Sequence, residues 1–228
     1  MLKVKKDVSS PYFVELCRSA EADSLLQGEL DGLLSPEEIS LFQALKTDKR
    51  RKDWLAGRIA AKRALRRAIL QEQGAGLEFG RIEILNKTSG QPYCRLPKEI
   101  KAPQFSISHC SSGGLCGAAK AGGRIGVDWE LLALQTEKIF AYYAHRSERP
   151  ENNPSAEFQM KLWTAKEAVF KLLGADLGFD LKEIRLPRGC AQLEFHGRAL
   201  LRWRQLGAPL IKLDHRVEAQ TMITVAYA

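Results

Sequence analysis

Nothing in this sequence supports a disulfide framework or a structural zinc site: its five cysteines are odd in number, no pair forms a CxxC, and its four histidines are scattered. No stretch approaches the roughly 18 consecutive apolar residues that a membrane span requires. The opening MLKVKKDVSS carries positive charge without an apolar run or small-residue cleavage site behind it, so it does not read as a secretory signal, and a cytoplasmic protein is expected. There is no zinc-finger pattern and no convincing GxxG or aromatic RNP module either, which leaves the signs of nucleic-acid binding weak. What is present is a globular composition. With 228 residues, 45% hydrophobic and 27% charged, the chain can bury one large core or two halves of roughly 110 residues each. The net charge of +8 makes anions the expected partners without choosing among nucleic acids, phosphorylated cofactors, acidic proteins and anionic membranes.

Strand-like YFVEL at 12–16 precedes LLSPEEISLFQAL, where Ser35 caps a helix, Pro36 fits its first turn and Glu38 completes a capping box. A second, cationic amphipathic helix is predicted from Arg51 to Leu70. The segment from Lys46 to Arg67 packs ten basic residues into 22 positions, with a solvated basic face as the bland alternative to an anion site. Strands are predicted at 77–85, 104–108, 115–121 and 124–127, and HRSERPENNPS reads as an exposed loop. A long helix follows from Asn153 and Pro154 to Leu173. Strands are predicted again near EIRL, AQLEF, ALLRW, LIKL and TMITVAY. The expected class is α+β with antiparallel sheet.

AKRALRRAIL at 61–70 can be laid over AKEAVFKLLG at 165–174, each followed by a Gly-containing turn and an amphipathic strand. The overlay suggests a pseudo-twofold arrangement of two similar α+β halves, each a helix packed on antiparallel sheet, divided at residues 1–120 and 121–228 with a ligand cleft between them. It sets Arg63 opposite Glu167 and Arg67 opposite Lys171, so the two copies need not share one chemistry.

The strand GRIGV ends in Asp128 and Glu130, whose carboxylates point to one side of an extended chain while Trp129 points away. An exposed strand end is the bland alternative, because such pairs arise by accident. In KLWTAKEAVFKLLG, Trp163, Glu167 and Lys171 fall in one line on the helix, and Glu167 with Lys171 also reads as an ordinary i,i+4 pair. If that helix packs on the strand end, Glu167 becomes a third hard oxygen ligand suited to Mg²⁺, and Lys171 reaches a phosphate beside it. His109, in FSISHCSSGG, could donate to the same phosphate, although a lone strand-end histidine is more often structural.

Taken in order, DWLAGRIAAKR, SGQPY at 89–93, FSISHC at 105–110, IGVDWE at 125–130 and LWTAKEAVFKLLG at 162–174 resemble the two-lobed 4'-phosphopantetheinyl transferases. The resemblance implies transfer of phosphopantetheine from coenzyme A to a serine of an apo acyl or peptidyl carrier protein. It implies Asp128, Glu130 and Glu167 as ligands of Mg²⁺ or Mn²⁺, and Glu167, Lys171 and His109 as catalytic groups, Glu167 taking the serine proton directly or through a metal-linked water. It implies coenzyme A binding by Arg51, Arg58, Lys62, Gly90, Gln91, Pro92, Ser108, His109, Lys166 and Lys171. Two departures stand out: Gln91 replaces a basic residue of the family's GKP-like turn, and Trp129 replaces a smaller aliphatic residue. A monomer with no nucleic acid and no membrane partner is expected. The alternatives are a noncatalytic carrier-binding relative and a basic nucleic-acid-binding protein.

Overall fold

The computed structural model describes residues 10–28, 30–174, 178–187 and 193–228. Most of the opening segment, together with Cys190 and the start of AQLEF, lies outside them. The first half runs β1 (Tyr12–Arg18), α1 (Ser19–Leu26), α2 (Pro36–Gln43), α3 (Asp48–Gln73), the hairpin β2 (Glu83–Asn86) and β3 (Pro92–Arg95), then β4 (Phe105–Cys110) and β5 (Gly113–Ala119). The second runs β6 (Ile125–Leu131), α4 (Glu137–Tyr143), α5 (Ala156–Leu173), the hairpin β7 (Ile184–Arg185) and β8 (Glu194–Phe195), α6 (Gly197–Gln205), β9 (Lys212–Glu218) and β10 (Thr221–Tyr227). Two three-stranded antiparallel sheets, ordered β1-β5-β4 and β6-β10-β9, repeat the same order, and each is covered by its long helix. The fold is α+β, built as two similar lobes. No helix among the described residues is long and apolar enough to cross a membrane.

The likeness between the lobes extends to single hydrogen bonds. In the first, the Lys62 ammonium donates to Glu38 Oε2 at 2.6 Å, to the Phe79 carbonyl at 2.9 Å and to the Ile82 carbonyl. In the second, Lys166 donates to Glu148 Oε2 at 2.7 Å and to the carbonyls of Tyr143 and Leu181. Each glutamate completes a capping box, with Ser35 and with His145, and accepts a strand-side amide through its other oxygen, Ile84 N–H and Leu186 N–H respectively. Both ammonium groups are 0% exposed; burial pushes their pKa down while the partner carboxylate opposes it.

Several sequence expectations are corrected. The segment ALLRW is helical within α6, because Ala199, Trp203 and Leu206 pack inward at helical spacing, a pattern too short to separate from a strand in the sequence. Helix α3 begins at Asp48 under a Thr47 cap and runs to Gln73, with Gly74 closing it at φ 68°. Helix α5 starts at Ala156 under Ser155 rather than at Asn153–Pro154. Within 77–85 only Glu83 to Leu85 are strand, after a 3₁₀ turn at Phe79–Arg81. Helices α1 and α4 carried no recognised sequence signal.

Strand β6 lies directly beneath α5 at Gly126, where an added Cβ would overlap the Ala168 carbonyl. Gly126→Ala is expected to lower the unfolding free energy by about 1–3 kcal/mol or more in denaturant titration, whereas Gly76→Ala, which meets nothing, changes it little. Removing one partner of a buried pair strands the other charge. Lys62→Ala and Lys166→Ala should each cost about 3–5 kcal/mol in the same measurement, and a loss below about 1 kcal/mol would contradict the pairing.

Candidate active site

Strand β4 carries two different surfaces because alternate residues face opposite ways. Ile107 and His109 line a cavity of about 500 Å³ together with Lys49, Arg50, Trp54, Arg58, Gly90 and Pro92. Helix α3 presents Arg50, Trp54 and Arg58 at i, i+4 and i+8, so one helical face supplies most of the charge. The Arg58 guanidinium lies 4.5 Å from the Trp54 ring centroid and donates to Asn86 Oδ1 at 3.3 Å, while its Nε is buried without a hydrogen-bond partner. Burial pushes the Arg58 pKa down to about 10, so the group retains its charge at neutral pH. A cation so placed, with a donor unused, fits an anionic ligand.

The other surface of β4 faces β6. Ser108 Oγ donates to Asp128 Oδ1 at 2.8 Å and accepts from the Trp129 amide at 3.3 Å. Lys171, from α5, donates to Asp128 Oδ1 at 2.7 Å, to the Val127 carbonyl at 3.1 Å and to Ser108 Oγ at 3.2 Å. Asp128 Oδ2 is buried and has no partner. Burial and then the Asp128 charge push Glu130 up to about 7, against the Trp163 hydrogen bond and Lys171, which pull it down. Glu167 is also raised, chiefly by burial, with Lys171 opposing and Asp128 adding to the shift. Three carboxylates therefore share one electrostatic neighbourhood, at a strand end and on the helix laid over it.

That donor set is the fit test for a divalent ion. Among the described residues no three His, Cys, Asp or Glu side chains stand close enough as placed to hold a metal ion. The chemistry nevertheless fits: an unpartnered buried carboxylate oxygen, beside acids whose ionisation is opposed by burial and by one another, is the environment a hard cation stabilises.

The structure brings together Asp128, Glu130, Glu167 and Lys171 as one cluster, and places Arg58, Gly90, Pro92 and His109 on the cavity. Other predicted positions differ. Lys62 and Lys166 are enclosed in the lobe interiors with their donors taken, so neither reaches a ligand, and their assignment to coenzyme A is corrected. Arg51 donates to the Leu45 carbonyl and to Asp48 and is not among the residues that line the cavity. Gln91 accepts from Lys87 Nζ at 3.0 Å rather than lining the cavity. Ser108 is directed to Asp128. Lys49, Arg50, Trp54 and Asn86 were missed; for Arg50, four residues before Trp54 and eight before Arg58, the helical period would have found it.

A family model described as the 4'-phosphopantetheinyl transferase superfamily matches residues 124–207, from the strand bearing Asp128 through α6. A holo-[acyl-carrier-protein] synthase of Anoxybacillus flavithermus is 36% identical over 96 residues, covering 42% of this chain and 79% of the synthase. A 4'-phosphopantetheinyl transferase-like protein of Synechocystis sp. is 24% identical over 190 residues, covering 78% of this chain and 73% of its own length. Among solved structures, a Bacillus anthracis holo-(acyl-carrier-protein) synthase in complex with coenzyme A (3',5'-ADP) aligns over 49% of this chain and 96% of its own at a TM-score of 0.41 and 22% identity. With 36% identity reaching across 79% of a known synthase, this chain belongs to the 4'-phosphopantetheinyl transferase superfamily of enzymes.

Proposed function

We propose that the protein transfers the 4'-phosphopantetheine group of coenzyme A to a serine of an apo carrier protein and releases adenosine 3',5'-bisphosphate, in a Mg²⁺-dependent reaction. The observation that carries this reading is the juxtaposition across β4 of a basic cavity and an acidic group made of the buried Asp128 with the half-buried Glu130 and Glu167. A nucleotide with several phosphates needs cations along its length, and the cavity supplies Lys49, Arg50 and Arg58 with His109 at its rim. Trp54 and Pro92 add flat apolar surface of the kind a nucleobase covers.

Asp128, Glu130 and Glu167 would hold Mg²⁺, or Mn²⁺ with the same oxygen donors, and the bound ion neutralises charge on a pyrophosphate. Lys171, one turn beyond Glu167, now spends its three donors on Asp128, Val127 and Ser108; its side chain is part-exposed, and it would exchange one of these partners to donate to a phosphate oxygen. The carrier serine oxygen forms a bond to the β-phosphorus while the bond from that phosphorus to the bridging oxygen breaks, leaving the electron pair on the adenosine bisphosphate. Glu167 accepts the serine proton, and its raised affinity for protons suits the task. An acidic carrier surface would be drawn toward a chain of net charge +8. One copy of the chain supplies both the cavity and the acids, so a monomer suffices.

Glu167→Gln keeps the size of the side chain and removes the proton acceptor. Incubation with coenzyme A, Mg²⁺ and several apo carriers, followed by intact mass measurement, should show a carrier gaining one phosphopantetheine group with the native protein and a rate lower by about 10²–10⁴-fold with the variant. Full modification by the variant would refute the role of Glu167, and no modification by the native protein would refute the reading as a whole. In the cavity, Arg58→Ala is expected to raise the coenzyme A KM by roughly 10- to 100-fold, the worth of a charged hydrogen bond. Arg51→Ala, at a residue that does not line the cavity, should leave that KM within about twofold of native, since surface changes of this kind shift free energies by less than about 0.5 kcal/mol.

A further inference from the structure

Ser108 is the first-lobe residue whose hydroxyl reaches an acid of the second-lobe cluster. Its side chain is 5% exposed, and its Oγ is fully used: the hydrogen goes to Asp128 Oδ1 at 2.8 Å, and the lone pairs take the Trp129 amide at 3.3 Å and Lys171 Nζ at 3.2 Å. A hydroxyl so occupied has no hydrogen left for a phosphate. Asp128 Oδ1 in turn accepts from both Ser108 and Lys171, which leaves the buried Oδ2 as the oxygen with no hydrogen-bond partner.

We propose that Ser108 is a positioning residue for the transfer: it fixes the rotation of the Asp128 carboxylate and the seat of Lys171, and so ties the lobe that carries the cavity to the lobe that carries the acids. The proposal rests on the reading of the acidic cluster given above. Without the hydroxyl, Oδ1 keeps a single donor on a flexible lysine, and nothing from the first lobe holds the carboxylate plane. Outer partners of this kind commonly govern metal affinity more than substrate affinity.

Ser106 provides the comparison. Two residues earlier on the same strand, its hydroxyl accepts the Val127 amide at 3.1 Å and makes no hydrogen bond to an acid among the described residues. Loss of either serine removes one side-chain acceptor for a β6 backbone amide, so a role confined to that seam predicts the same outcome for both.

Mn²⁺ binding, followed by the electron paramagnetic resonance signal of the free ion with coenzyme A present, should be weakened about tenfold by Ser108→Ala. It should be unchanged by Ser106→Ala and restored toward native by Ser108→Thr, which keeps the hydroxyl. The coenzyme A affinity of Ser108→Ala, measured calorimetrically without divalent ion, should stay within about twofold of native while kcat falls about tenfold. Equal Mn²⁺ affinity in native protein and Ser108→Ala, equal weakening by Ser106→Ala, or loss of coenzyme A affinity in place of metal affinity would each overturn the proposal. If Ser108→Ala fails to fold, Ser108→Cys, whose thiol donates weakly, carries the same comparison with the same expected direction. Native protein that binds no Mn²⁺ overturns the cluster reading as well; native binding that survives Ser108→Ala overturns this proposal alone.

Discussion

Strand β4 offers its neighbour β6 side chains where an ordinary sheet would offer backbone. The Gln104 amide spans Ile125, accepting its N–H at 2.6 Å and donating to its carbonyl at 3.0 Å; Ser106 accepts the Val127 amide and Ser108 the Trp129 amide. Three alternate amides of β6 are thereby satisfied on the edge that β10 does not cover. A buried amide left without an acceptor costs about 1–3 kcal/mol, so the seam is a large part of what joins the lobes. Its period of two fixes the function as well. Residues 104, 106 and 108 face β6, which leaves Ile107 and His109 to face the cavity, and a slip of one residue would exchange the two surfaces.

The buried Lys–Glu pairs show which part of the repeated design is structural. Lys62 with Glu38 and Lys166 with Glu148 tie each long helix to a capping box and to the segment entering its hairpin, with matching partners in both lobes. Elsewhere the copies diverge. Five residues beyond each lysine, Arg67 pairs with Glu15 at 2.9 Å and Lys171 with Asp128 at 2.7 Å, each acid being the fourth residue of its lobe's first strand. The positions matching Glu130 and Glu167 hold Cys17 and Arg63 in the first lobe, where Arg63 is bound to Glu21 and to the Leu16 carbonyl. A thiol and an arginine in place of two carboxylates leave no cation site there. The acidic cluster is confined to one lobe by two substitutions in an otherwise repeated frame.

The long helices, the strands around Asp128 and the duplication were legible in the sequence because each rests on local periodicity or on residue order. The cluster was legible for the same reason: Asp128 and Glu130 lie two apart on a strand, and Glu167 and Lys171 four apart on a helix. What escaped was set by tertiary contact. A lysine inside a helix reads as exposed, so Lys62 and Lys166 passed for ligand-binding groups until their buried partners, distant in sequence, were visible. Helix α6 has only nine residues, and a single turn of apolar spacing does not distinguish it from a strand. The seam through Ser106 and Ser108 pairs residues 21 apart across lobes, and no local pattern announces it.

Trp129 bears on the placement of both acids. The large side chain between them is 0% exposed and packs in the inter-lobe core with Leu115, Val127, Ile223 and Val225, beneath the Arg18 guanidinium, 5.4 Å from the ring centroid. Its indole N–H has no hydrogen-bond partner, so the ring is held by packing and by the guanidinium above it. Burying a ring of this size on one face of β6 obliges residues 128 and 130 to take the other face. A smaller aliphatic residue would serve the alternation but would leave part of that core unfilled, and the loss would fall on the strand that carries Asp128 and Glu130. The departure from the family pattern therefore strengthens the support of the acids without entering the site they form.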